Sequence, residues 1–228
     1  MVETPQRRRP VQQRDRLPRS VPILAAVVAV LLIVKGILVL VGWPLKPEEP
    51  SQMQLEIPSW IDQQLLPVNP YSRPGTPLEE INGVVVHYVG NPGTTASQNR
   101  NYFAGLAQQT QEPYTSVSSH FLIGLEGEIL QIVPLDEISY CSYPRNGDTV
   151  AIECCHPDDT GAFTPETYES LLRLVRWLMD ECHLDTSQIL RHYDVVGKEC
   201  PRYFVQNPES WDTFLTDLEN LEKVNLGE

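Results

Sequence analysis

From residue 81 onward the chain alternates short apolar runs with stretches of helical spacing, and this alternation constrains the fold more than any other feature. Residues 84–89 read as a strand buried on both faces, broken by Asn91-Pro92-Gly93. Residues 95–108 follow with helical spacing that puts Phe103, Leu106 and Ala107 on one side. Residues 118–123 and 128–133 read as two strands joined in a hairpin through Gly124-Leu125-Glu126-Gly127, and residues 149–155 as a further strand. Thr164-Pro165-Glu166 supplies an N-cap, a proline at the first helical position and an acid in the first turn. The helix it opens runs to about Cys182, with Leu171, Leu172, Leu174, Val175, Leu178 and Met179 as its core-facing stripe. A short strand at 188–191 and a helix at 208–221 complete the pattern. The expected fold class is α/β, a single domain with a mixed central β-sheet flanked by helices, preceded by an N-terminal transmembrane helix.

That last element rests on residues 21–44, which are almost wholly apolar and long enough for the roughly 20-residue crossing of a bilayer. Lys35 is the one charge in the span, and its long stem can carry the amine to the interface. A cleavable signal peptide with its apolar core at 21–34 is the competing reading, although no small-x-small cleavage pattern follows that core. Arg7, Arg8, Arg9, Arg14, Arg16 and Arg19 precede the span against Glu3 and Asp15, whereas the whole chain carries −13, so the acidic excess lies beyond the span. The positive-inside rule then places the N-terminus in the cytoplasm and the large C-terminal part outside the cell membrane. The arginine cluster is a topology signal more economically than a nucleic-acid patch, since the acidic remainder repels phosphate backbones. Residues 45–80 are proline-rich, interrupted by one amphipathic piece at 60–66, which suggests a stiff stalk followed by an arm wrapping onto the domain. The expected organisation is a basic cytoplasmic tail at 1–20, an anchor at 21–44, an extracellular stalk at 45–67 and a monomeric catalytic domain at 68–228. Outside the cell, one or two disulfides are possible among Cys141, Cys154, Cys155 and Cys182. Cys154 and Cys182 read equally well as small buried apolar residues.

The chemistry is concentrated at residues 191–201, where His192, Lys198 and Cys200 follow an apolar strand within ten residues. Zinc(II) accepts nitrogen and thiolate sulfur, which makes His192 and Cys200 two plausible ligands and His87, at the end of Val84-Val85-Val86, the third. Three protein ligands leave the fourth tetrahedral position open, as catalytic rather than structural zinc sites do. Amide hydrolysis at such a site needs a base for the attacking water and a cation for the oxyanion. Glu153 interrupts Val150-Ala151-Ile152 at a strand end and suits the first role; Lys198, two residues before Cys200, suits the second. Each residue alone has a bland reading, as a hydrogen-bonded histidine or a surface charge. It is their shared position at strand ends that points to catalysis. His120, His156 and His183 read as structural or solvated.

These segments, together with 118–123, 127–131 and the run Lys198-Glu199-Cys200-Pro201, resemble the type 2 N-acetylmuramoyl-L-alanine amidases, the zinc amidase group related to peptidoglycan recognition proteins. The resemblance covers about residues 68–215 in the family's order and spacing. It implies cleavage of the amide between the lactyl group of N-acetylmuramic acid and the L-alanine of the peptidoglycan stem peptide. It also implies zinc on His87, His192 and Cys200, with Lys198 and Glu153 at the family's catalytic positions. Phage-type members place a tyrosine where this chain has Ser119, so Glu153 has to carry more of the work here. The runner-up is a peptidoglycan-binding module of the same fold that does not hydrolyse. Inactive members typically lose a zinc ligand, and this chain keeps all three. A zinc peptidase acting within the stem peptide shares the metal chemistry and differs only in the bond cut.

Overall fold

The computed structural model describes residues 55–222. The basic tail, the transmembrane helix expected over 21–44 and the first part of the stalk lie outside the described residues. Among the described residues no helix is long and apolar enough to cross a membrane.

Six strands form one sheet: β1 (Asp62–Gln63), β2 (Val84–Tyr88), β3 (Phe121–Ile123), β4 (Ile129–Gln131), β5 (Val150–Cys154) and β6 (Ile189–Arg191). Their order across the sheet is β1-β4-β3-β5-β2-β6. The β3–β4 hairpin is antiparallel and every other pairing is parallel, which makes the sheet mixed as expected. Successive strand residues face opposite sides. Phe121 and Ile123 thus enter one core with Leu171, Leu174, Trp177 and Phe214, while Leu122 enters the other with Leu66, Phe103 and Ile132.

Helices cover both faces. They are α1 (Ala96–Gly105), α2 (Pro165–Cys182), α3 (His192–Val196), α4 (Arg202–Gln206) and α5 (Pro208–Asn220). α1 opens on a capping box in which the Thr95 side chain accepts from Gln98 N and the Gln98 side chain accepts from Thr95 N. The last turn expected of this helix tightens into a 3-10 turn at Leu106–Gln108. In α2 the Thr164 hydroxyl accepts from Thr167 N, Pro165 occupies the first turn, and His183 closes the helix in the left-handed conformation at φ 57°. Trp177 joins the expected stripe as a fully buried residue, and Leu172 is only partly buried.

Two differences from the sequence pattern have clear causes. The strand expected from 118 starts at Phe121, because the His120 carbonyl accepts from both Ile132 N (2.8 Å) and Val133 N (3.4 Å). Two residues facing one interrupt the ladder in the manner of a bulge. The sheet also extends further towards the N-terminus than residue 68. β1 pairs with β4, Gln64 N and Leu66 N donate to Gln131 O and Ile132 O at 2.9 Å each, and Leu66 is fully buried. The prolines Pro58 and Pro67 flank this strand rather than interrupt it.

Candidate active site

β5, β2 and β6 are adjacent and parallel, so their C-terminal ends share one rim of the sheet. Ligand sites of such sheets form outside the carboxyl ends of the strands. The register puts His87 directly opposite Glu153, and Val86 opposite Arg191. His192, the residue after Arg191, is the first of α3 and so stands one position beyond, beside His87. Their ring centroids are 4.5 Å apart at 60°.

The spacing of eight between His192 and Cys200 is what the return path needs. α3 is held at its start by the Asp194 carboxylate, which accepts from Arg191 N at 2.8 Å, and it ends at Gly197 in the left-handed conformation, φ 73°. The chain then folds back, with Tyr193 N donating to Cys200 O at 2.9 Å. This brings Cys200 Sγ to 3.7 Å from His87 Nδ1. Donor atoms of His87, His192 and Cys200 all lie within 4.8 Å of one another, and all three residues are buried.

The environment of these atoms fits a cation. His87 Nε2 lies 3.0 Å from Ser142 Oγ, which leaves Nδ1 to face the thiol. His192 Nδ1 is buried without any hydrogen-bond partner. An orphaned buried nitrogen costs about 1–3 kcal/mol unless something satisfies it. Burial, reinforced by His192 and Lys198, pushes His87 well below its ordinary pKa, and burial and Lys198 lower His192, so both rings are held in the neutral, ligating form. The Cys200 thiol is pushed up to about 12, first by burial and then by Glu153. A coordinated cation reverses that preference by binding the thiolate. Two imidazoles and one sulfur form a donor set suited to zinc.

Glu153 faces the same space. Its Oε1 accepts from Cys141 Sγ at 3.4 Å, while Oε2 is buried without a partner. Burial pushes its pKa up to about 8, against the opposing effects of the Cys141 hydrogen bond and Lys198. Lys198 is exposed and borders, with Tyr88, Asn91, Tyr102, Glu153 and Cys200, a cleft of about 540 Å³. The structure thus brings all five sequence-derived site residues to one place. A second cleft of about 440 Å³, near the start of α2 and against α5, contains none of them.

The remaining candidates are elsewhere. His120 is fully buried, with Nε2 2.9 Å from Glu137 O and Nδ1 accepting from Ala151 N at 2.9 Å. His156 packs on the Tyr88 ring at 5.0 Å, and His183 caps α2. Ser119 is buried and donates to Phe121 O at 2.8 Å, so it offers no hydroxyl to the cleft. All five cysteines are free thiols, and none of the disulfides considered possible is formed. Sequence reasoning missed Cys141 and Ser142 as neighbours of the site. Cys141 stood out in the sequence as a candidate for pairing, and Ser142 carried no signal at all.

Comparison with known proteins identifies the family to which the domain is similar. The family profile described as N-acetylmuramoyl-L-alanine amidase matches residues 77–203. The N-acetylmuramoyl-L-alanine amidase CwlL of Bacillus licheniformis is 30% identical over 166 residues, which is 68% of this chain and 45% of that protein. The N-acetylmuramoyl-L-alanine amidase XlyA of Bacillus subtilis (strain 168) is 30% identical over 158 residues, covering 68% of this chain and 49% of XlyA. The solved catalytic domain of XlyA superimposes with a TM-score of 0.56 at 26% identity, covering 69% of this chain and 98% of that domain. This chain belongs to the N-acetylmuramoyl-L-alanine amidase family. It spans about half the length of the curated relatives it matches.

Proposed function

We propose that this chain is a membrane-anchored, zinc-dependent N-acetylmuramoyl-L-alanine amidase that hydrolyses the lactyl–L-alanine amide of peptidoglycan. The observation that carries the reading is the convergence of His87, His192 and Cys200 within 4.8 Å, on a rim where Glu153 stands in register with His87. Family membership supplies the bond to be cut. His87, His192 and Cys200 would hold the zinc, which when bound would supply Lewis-acid polarisation of the scissile carbonyl and a more acidic attacking water. Glu153, whose Oε2 has no hydrogen-bond partner, would take the proton from the attacking water and return it to the departing amine of L-alanine. Lys198, at the mouth of the cleft, places its positive charge where negative charge develops on the carbonyl oxygen. Tyr88 and Tyr102 offer the aromatic walls against which the substrate is oriented. The apolar span at 21–44 and the arginines before it support a single-pass cell-membrane location, with the N-terminus cytoplasmic and the domain facing the wall.

The test is digestion of purified peptidoglycan by the full chain in mild detergent, with and without chelator, read by mass spectrometry. Free stem peptides beginning with L-alanine should appear, vanish on chelation, and fall by about 10²–10⁴-fold with Glu153→Gln. Zinc-loaded protein that binds the polymer without cleaving it would replace this reading with that of a recognition module.

A further inference from the structure

The turn that follows Tyr140 reaches the site from outside the sheet. Its centre is Asn146, whose Oδ1 accepts from two consecutive backbone amides, Cys141 N at 3.2 Å and Ser142 N at 2.7 Å. The Tyr140 amide before them donates to Ser118 Oγ at 3.0 Å, and Arg145 N donates to Ser142 O at 2.7 Å. With the backbone fixed in this way, two neighbouring side chains go to two different groups of the site. Cys141 Sγ donates to Glu153 Oε1 at 3.4 Å, and Ser142 Oγ lies 3.0 Å from His87 Nε2. Ser142 is 1% exposed, so water does not compete for that bond.

Resting on the amidase reading above, we propose that this turn positions the catalytic groups: Cys141 holds the Glu153 carboxyl, Ser142 holds the His87 ring, and Asn146 fixes both. The division of labour follows from the chemistry of each contact. A thiol is a weak, long donor, so it fixes the rotation of the carboxyl through Oε1 while leaving Oε2 unencumbered for the proton. A hydroxyl on Nε2 settles the ring's orientation, so that Nδ1 and not Nε2 faces Cys200. Partners of this kind behind a ligand typically change metal affinity or activity by about 10–100-fold when lost. Ser142 and Asn146 act through His87 and the turn backbone, whereas Cys141 Sγ itself lies within 4.8 Å of donor atoms of His87 and Glu153.

Two pairs of variants and a fifth, measured on the full chain in detergent, test this. Cys141→Ala should lower kcat about tenfold with KM unchanged, and Cys141→Ser, which restores a donor, should recover most of it. Asn146→Ala should weaken zinc retention about tenfold in chelator competition as well as lower kcat, whereas Asn146→Asp, which keeps the acceptor oxygen, should recover both. Ser142→Ala should weaken zinc retention with little change in thermal midpoint, and it replaces Asn146→Ala as the test if that variant fails to fold. A turn with a merely structural role would move the thermal midpoint and leave kcat and zinc affinity of the folded fraction at parental values, which overturns the proposal. If the parent itself releases no stem peptide, the amidase reading fails and zinc retention in the Ser142 and Asn146 variants decides the positioning claim by itself.

Discussion

His120 is held neutral from both sides, since Nδ1 accepts the Ala151 N–H and Nε2 is left to donate to the Glu137 carbonyl. Burial pushes its pKa down to about 4. The same side chain in the unfolded chain titrates near 6.5, so the unfolded state binds the proton first as the pH falls. Stability from this residue is therefore complete above about pH 6.5 and is lost between there and 4, by roughly 3 kcal/mol in all. Urea unfolding at intervals from pH 7 to 4.5 should show that loss, and NMR should find the ring still neutral at pH 5; protonation near 6.5 would refute the assignment. The same focus on single residues explains what the sequence reveals of the site. His87, Glu153, His192, Lys198 and Cys200 are legible because strand periodicity and the return after α3 place them, and both are local patterns. Cys141, Ser142 and Asn146 reach the site through an aperiodic turn, and contacts made across 12 and 55 residues to Glu153 and His87 leave no local trace.

Among the elements, the segment before β2 contributes more than its composition suggests. Trp60 meets the buried Trp177 of α2 edge to face at 6.2 Å, and the Arg173 guanidinium lies over its ring at 4.2 Å from the centre. Trp60→Ala should cost about 2 kcal/mol, less than a fully buried tryptophan because the residue is only partly buried. Two-state urea unfolding measures it, and a change below about 0.5 kcal/mol would show that the arm does not stabilise the sheet. Length explains which elements can be read in advance. α2 and α5, with 18 and 13 residues, carry several turns of periodic pattern, and β2 and β5 carry continuous apolar runs. α3 and α4 have five residues each and β1 has two, too few for any period to be expressed. They form because capping, the return to Cys200 and pairing with β4 select them, and those causes are tertiary.

At the scale of the whole molecule, the proposed function sets the part beyond residue 45, with 28 acidic against 10 basic residues, before a wall polymer that is itself rich in carboxylates. Hydrolysis of insoluble peptidoglycan should therefore rise with added salt as the screening length shortens from about 30 Å at 0.01 M to about 8 Å at 0.15 M. A small uncharged muramoyl peptide should be cut at a rate nearly independent of salt. Equal salt dependence for both substrates would show that long-range repulsion plays no part. The sheet order has a spatial consequence as well. The described chain enters the sheet through β1 at one edge, and β4 and β3 separate that edge from the three strands that carry the site. Four interstrand spacings put β1 about 19 Å from β2. β1 thus lies at the edge of the sheet opposite β6, two strands removed from the three whose ends carry His87, Glu153 and the approach to His192.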